Sequence, residues 1–171
     1  MGADRKLNEI KKKYRNLKTK MPRIIGQVAV NFTKDNFRRQ GFLNGGHVNK
    51  WKKRKGFDAG KKRSLLTNTG RLKRSVGVIR ASPSEIVIGT RGVNYGKIHN
   101  EGGTIRQTVT NKQRSFFWAK FKATGNQLYK RMALSQKLEI RISKRKFMGN
   151  SSDLQAEMER KIKLELLKIF K

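Results

Sequence analysis

The sequence predicts an α+β protein with N-terminal helices, an antiparallel sheet of about four strands and a C-terminal amphipathic helix. Apolar residues recur every three or four positions near both ends of the 171-residue chain, and short segments with strand-like alternation lie between them. Hydrophobic residues make up 35% of the chain, which is enough to bury a core in spite of its charge. We therefore expect one structural domain.

Residues 1–40 are predicted to be a basic helical region. One apolar stripe repeats at spacings of three and four and consists of Leu7, Ile10, Tyr14, Leu17 and Met21. Pro22 interrupts the stripe, and a second helical stretch follows it. The pattern indicates two consecutive helices or one kinked helix, with an end near Gly41.

Residues 41–64 are predicted to form a long basic loop that is rich in glycine. Its cations are Lys50, Lys52, Lys53, Arg54, Lys55, Lys61, Lys62 and Arg63. Trp51 lies among them and either stacks on nucleic-acid bases or anchors the core beneath lysine side chains. A loop of this length in a compact domain is typically functional or disordered.

Residues 65–171 are predicted to form an α+β core. The expected elements, in chain order, are a hairpin over 76–89, strands over 104–110 and 138–142, and between these strands one or two helices over 112–134, broken at Gly125. The aromatic residues of that helical stretch have helical spacing, which favours a core or a subunit interface over a base-stacking platform.

A helix is predicted at the C-terminal end. Its apolar stripe consists of Leu154, Met158, Ile162, Leu166 and Ile169. Ser152, followed three residues later by Gln155, fits a capping box at the start of this helix.

The charge of the chain limits the possible function classes. Its 43 Lys and Arg residues against 11 Asp and Glu residues give a net charge of +32, which calls for an acidic neighbour such as nucleic acid, an acidic protein or an anionic membrane. No apolar run approaches the roughly 20 residues that span a bilayer, so we expect no membrane insertion. The start of the chain lacks an apolar signal segment, and we expect synthesis in the cytoplasm.

The residues available for catalysis are few. The absence of cysteine excludes disulfides and thiolate metal sites. The acids in the middle of the chain, which show no recognisable mutual spacing, are Asp58, Glu85, Glu101 and Glu139. His99 lies two residues from Glu101 in a glycine-rich segment, where local hydrogen bonding is a better interpretation than acid–base catalysis. We expect no enzyme activity, no metal and no cofactor.

Five short motifs follow one another after Trp51. They are residues 66–75 (LTNTGRLKRS), 87–90 (VIGT), 95–103 (YGKIHNEGG), 109–117 (VTNKQRSFF) and 145–149 (RKFMG). In content and order they resemble the phage virion morphogenesis family of tail-completion proteins, known from Mu-like and related tailed phages. The resemblance covers about residues 25–170.

This resemblance implies a structural subunit of a homo-oligomeric ring, with six-fold order expected, at the head–tail junction or the upper end of the tail. Its neighbours would be head–tail connector and tail tube or terminator proteins, and packaged double-stranded DNA is a further candidate partner. Scaffold roles are implied for Trp51, Thr69, Gly70, Leu72, Gly89, Tyr95, His99, Gly102, Arg145 and Phe147.

We expect the cations of the basic loop, together with Lys11, Lys12 and Lys13 of the first helix, to contact DNA phosphates or acidic partner subunits. The alternative is a basic nucleic-acid-binding protein of ribosomal or nucleoid-associated type. A nuclease would require metal-dependent cleavage. The order of the five motifs favours the virion protein.

Overall fold

The longest element is one N-terminal helix, α1 (Ala3–Arg39), in a computed structural model that describes residues 2–54 and 63–170. Pro22 lies inside α1 and is buried, so packing offsets the backbone hydrogen bond that proline cannot make there. One helix spans both predicted stretches, and the alternative of two separate helices is wrong. The helix stops at Gln40, whose left-handed backbone (φ 54°, ψ 40°) directly precedes Gly41.

A hairpin follows α1 where a loop was predicted. Strands β1 (Gly41–Asn44) and β2 (His47–Lys50) pair antiparallel around Gly45 and Gly46, whose φ angles of 63° and 72° suit a two-residue hairpin turn. The Gly45 N–H donates to the Ser152 hydroxyl at 3.0 Å, and the Gly46 N–H donates to the Asp153 carboxylate at 3.1 Å. The prediction of a continuous loop over 41–64 is therefore wrong for its first ten residues.

The remaining elements are α2 (Arg71–Ser75), β3 (Val76–Ala81), β4 (Ile86–Thr90), α3 (Gly96–Glu101), β5 (Gly103–Thr108), α4 (Asn111–Thr124), α5 (Gln127–Leu134), β6 (Lys137–Ile142) and α6 (Ser152–Leu167). The α+β class is confirmed, as are the hairpin over 76–89 and the helix break at Gly125. In the described part of the chain the strands form three separate antiparallel pairs, not one sheet of about four strands. Helices, and not neighbouring strand pairs, pack against β1, β3 and β4.

The main core lies along the C-terminal half of α1. Strands β3 and β4 and helix α6 pack against α1, and its buried hydrophobic residues lie in this half, from Ile25 to Phe37. A Cβ atom at Gly26 would lie only 2.8 Å from Cγ2 of Val78, so this glycine lets β3 approach α1 closely. Phe32 of α1 meets Phe42 of β1 edge to face, with ring centroids 6.3 Å apart. The buried side of α1 thus organises two of the three strand pairs.

A second, smaller cluster joins β5, α4, α5 and β6, which we call the hairpin–helix lobe (residues 103–142). Its buried residues are Val109, Phe117 and Ala133. The side chain of Thr110 and that of Gln113 form a complete capping box at the start of α4. Of the predicted aromatic group, Phe117 is buried, as a core role requires, whereas Phe116 is 53% exposed.

The C-terminal helix begins with a cap one residue earlier than predicted. The hydroxyl of Ser151, and not that of Ser152, accepts a hydrogen bond from the Leu154 N–H, at 3.3 Å. The Ser151 hydroxyl also donates to the carbonyl of Leu43 at 2.9 Å. The Ser152 hydroxyl bonds to the β1–β2 turn instead. Ser151 therefore caps the helix, and Ser152 anchors the turn.

Asn36 links α1 to two distant segments and is fully buried. Its side-chain amide donates to the carbonyl of Phe147 at 3.1 Å, and its Oδ1 atom accepts from the Leu43 N–H at 3.2 Å. Both backbone groups would be left without these partners if the side chain were shortened.

We predict that Asn36→Ala lowers the free energy of unfolding by about 2–4 kcal/mol, because two largely buried backbone groups lose their partners. Chemical denaturation followed by circular dichroism measures this change. Asn31→Ala is the matched control, since Asn31 lies exposed on the same helix, and it should change stability by less than about 0.5 kcal/mol. Equal losses in the two variants would contradict the assignment.

Candidate functional site

An aromatic cluster of Phe37, Trp51 and Phe147 joins three segments of the chain. The ring centroid of Phe37 lies 5.6 Å from that of Trp51 and 4.9 Å from that of Phe147. Trp51 is 7% exposed, and its indole N–H donates to the carbonyl of Lys146 at 2.7 Å. The core-anchor interpretation of Trp51 is therefore correct, and base stacking by this residue is wrong.

The motif at 95–103 and the motif at 145–149 are joined by direct hydrogen bonds. Oδ1 of Asn100 accepts from the N–H groups of both Phe147 and Met148, at 2.9 and 3.0 Å. The Arg145 N–H donates to the carbonyl of His99 at 2.8 Å. At Gly102, with φ +78°, a Cβ atom would lie 2.9 Å from the backbone nitrogen of Lys144, so glycine is required where these two motifs meet.

The other implied scaffold residues lie around the same region. Leu72 is buried with Trp51 and Phe147, Gly70 precedes α2, and the Thr69 hydroxyl accepts from the Arg71 N–H at 3.3 Å. Tyr95 meets His99 edge to face at 5.7 Å. Gly89 stands apart, opposite Gly77 in the β3–β4 pair.

A cleft of about 750 Å³ opens beside this scaffold, and we call it the cationic cleft. Its apolar lining consists of Leu65, Leu66, Leu72, Tyr95, Ile140 and Ile142. Its cations are Lys53, Arg54, Arg63, Arg71, Arg141 and Arg145. The described residues that line it include no carboxylate. The described lining therefore combines an apolar wall with a cluster of cations.

Main-chain carbonyls hold the arginines of the cleft in place. Nε of Arg145 donates to the carbonyl of Lys52 at 3.2 Å, and Nη2 of Arg54 donates to that of Ser64 at 2.8 Å. Nη2 of Arg71 donates to the carbonyl of Gly92 at 3.1 Å. A carbonyl orients a guanidinium without neutralising it, so the cleft keeps its positive potential.

The cleft contains one strained backbone conformation and two side chains whose pKa values are lowered. Leu66 has a φ of +58°, a left-handed conformation that costs a non-glycine residue about 1–2 kcal/mol. Partial burial, and then the charge of Arg54, lower the pKa of Arg145. Burial, and then the charge of Arg145, lower the pKa of His99. Nδ1 of His99 is buried without a hydrogen-bond partner in the described structure.

The predicted cations do not form one surface. Lys53, Arg54 and Arg63 line the cleft, whereas the exposed side chain of Lys52 does not, and the ammonium of Lys50 donates to the carbonyl of Arg39 at 2.8 Å. Lys55, Lys61 and Lys62 lie outside the described residues. On the outer part of α1, Lys11 and Lys12 border a different, shallow depression with Arg15, and Lys13 pairs with Glu9 at 3.2 Å.

Three cations of the cleft, Arg71, Arg141 and Arg145, were not among the predicted contact residues, and Arg145 was predicted only as a scaffold residue. Arg71 lies inside the motif at 66–75, which gave no reason to separate it from the scaffold residues around it. Arg141 lies in the strictly alternating segment of β6. The only available signal was that each is a basic residue next to a predicted core position, and this chain has many such residues.

Among residues 2–54 and 63–170, no group of three or more acidic or histidine side chains is arranged to hold a metal ion. Within the same residues, none of the helices is long and apolar enough to cross a bilayer.

Fold and site together define a small α+β protein in which ordered sequence motifs build a scaffold around a cationic cleft. The chain belongs to the phage virion morphogenesis family, whose model matches residues 2–167. This membership makes it a phage structural protein of virion morphogenesis. No curated protein and no solved structure matches the chain.

We predict that His99 makes the stability of the protein depend on pH. Because its pKa is lowered in the folded state, the unfolded chain takes up a proton first, near the ordinary value of 6.5. The free energy of unfolding should therefore fall as the pH drops below about 6.5.

Urea denaturation at a series of pH values between about 7.5 and 5 measures this contribution of His99. In His99→Gln the contribution is absent, so the difference in stability from the wild type should shrink as the pH falls. His47→Gln, on the exposed strand β2, is the control and should keep the wild-type pH dependence. Parallel curves for His99→Gln and the wild type would refute the assignment.

Proposed function

We propose that this chain is the subunit of a homo-oligomeric ring that completes the tail or forms the neck of a tailed-phage virion. Its basic surfaces face packaged double-stranded DNA or acidic neighbouring subunits, and it performs no catalysis. The ring stands between a head–tail connector and tail tube or terminator proteins. Family membership over residues 2–167 supports the structural role, and the charge of the chain supports the choice of neighbours.

The observation that carries the proposal is the charge that the chain cannot neutralise by itself. If each of the 11 acidic residues paired with one cation, 32 of the 43 cations would still lack a carboxylate. A six-membered ring would concentrate six such charges of +32 in one assembly. Self-repulsion of this size has to be screened by polyanions, and DNA or acidic subunits supply them.

Exposed apolar side chains at the outer end of the two long helices support association between copies. Helix α6 runs antiparallel to α1, since Leu154 packs near Phe32 while Leu166 lies near Tyr14. Leu7 of α1 is 49% exposed, and Phe170 after α6 is 73% exposed. This pair of helix ends is the contact that we propose between ring subunits.

Native mass spectrometry of nuclease-treated protein at high salt tests the ring, because salt screens the repulsion between copies. We expect a closed oligomer whose mass does not change when short duplex DNA is added at high salt. A monomer that binds duplex DNA stoichiometrically as the salt is lowered would instead support a basic nucleic-acid-binding protein and overturn the ring.

We predict that Leu7→Asp combined with Tyr14→Asp weakens self-association by more than about 100-fold, because two exposed apolar contacts become charged. Analytical ultracentrifugation over a concentration series measures the change. The matched control is Asn8→Asp combined with Asn16→Asp, which adds the same charge one and two residues farther along the same helix. If both pairs behave alike, the subunit contact lies elsewhere.

A further inference from the structure

One edge of β6 is open along the cationic cleft. Strand β6 pairs with β5, and no other strand of the described structure pairs with it. Residues 140–142 at the end of β6 and the following Ser143 all line the cleft, although successive side chains of a strand point to opposite faces. A cleft that borders the unpaired edge of β6 accounts for this lining, because residues of both faces meet at the edge. That edge carries backbone N–H and C=O groups with no partner strand among the described residues.

The side chains around this edge alternate in character. Ile140 and Ile142 share one face of β6, and Arg141 projects from the other face. Leu66 and Leu72 add apolar surface, and Arg71 adds a cation. A bound strand in which apolar and acidic residues alternate would match both faces at once.

The observations favour a peptide over duplex DNA as the occupant. A duplex presents phosphates on a broad convex surface and offers nothing to an apolar wall or to an open strand edge. An extended peptide of four residues, about 13 Å long, matches residues 140–143 in length and supplies both backbone partners and side chains.

The described residues of a second copy of this chain offer no matching segment for the cleft. Among the described residues, the carboxylates lie on helices, in strands that are already paired, or in short connections, as Glu85 does between β3 and β4. None of these carboxylates belongs to an extended acidic segment that is free to bind. We therefore take the occupant to be a different, more acidic protein.

We infer that the cationic cleft binds an extended acidic segment of a neighbouring virion subunit, which adds as a third strand at the open edge of β6. This inference rests on the proposed function, because assembly supplies the neighbour. The backbone edge gives affinity for any extended segment, and the cations together with the apolar wall select alternating acidic and apolar residues.

Fluorescence anisotropy with the full chain tests the inference. The probe is an eight-residue labelled peptide of alternating glutamate and valine, and three comparison probes are used. One has lysine in place of glutamate, one has the same residues in two blocks, and one is single-stranded DNA of eight nucleotides. We expect the alternating acidic peptide to bind at least about ten-fold more tightly than the blocked peptide, because only the alternating order suits both faces.

Arg141→Gln should weaken binding of the alternating peptide about five-fold, the loss expected for one solvent-exposed ion pair, since Arg141 is exposed. Lys137→Gln is the matched control, since Lys137 lies exposed on the same strand but does not line the cleft. Both variants should keep the wild-type thermal unfolding midpoint. Two peptides N-methylated at alternate amides, in opposite registers, report strand addition directly, because only one register should lose binding.

Equal binding of the alternating and blocked peptides, or equal losses in the two variants, would overturn the inference. Preferential binding of the oligonucleotide with loss in Arg141→Gln would overturn it in favour of a nucleic-acid site. Native mass spectrometry separates this result from the proposed function. A closed oligomer without selective peptide binding removes the cleft inference alone, whereas selective binding by a chain that never forms a ring removes the ring alone.

Discussion

The packing of Trp51 and Phe147 against Phe37 is the contact on which the rest of the structure depends. It brings the chain leaving β2 and the chain approaching α6 to the same turn of α1. Lys53 and Arg54, which follow Trp51, and Arg145, which precedes Phe147, are thereby placed at one cleft. The position of the charged surface is therefore set by apolar contacts in the core, together with the hydrogen bond from Arg145 to the carbonyl of Lys52.

Backbone dipoles take the role that carboxylates usually have in a cationic site. The guanidinium groups of Arg71 and Arg145 each donate to a main-chain carbonyl, which fixes their geometry. Carboxylates in these places would neutralise the cations and make the cleft less attractive to an acidic ligand. The carbonyls therefore suit the binding of an acidic segment that we propose for this cleft.

The sequence alone allowed the class and most individual elements to be predicted, because amphipathic periodicity and turn residues are local signals. It did not reveal the β1–β2 hairpin, since the only strong cue there is the pair Gly45 and Gly46 between two strands of only four residues each. The strand grouping and the shift of the cap from Ser152 to Ser151 depend on tertiary contacts with Leu43 and Gly45. The cleft was predicted only in part. Arg54 was among the predicted contact residues, but Arg71 and Arg141 are distant from it in sequence and line the same cleft only in the folded chain.

The link between Asn36 and Phe147 spans 111 residues of sequence, and α6 covers α1 from the far end of the described chain. On the ribosome, the first helix is therefore made long before the segments that cover its apolar face. Its core-facing residues remain exposed to solvent throughout that interval, and the native contacts close late over a large chain separation. The contacts between α1 and α6 can accordingly form only after this last helix has been synthesised.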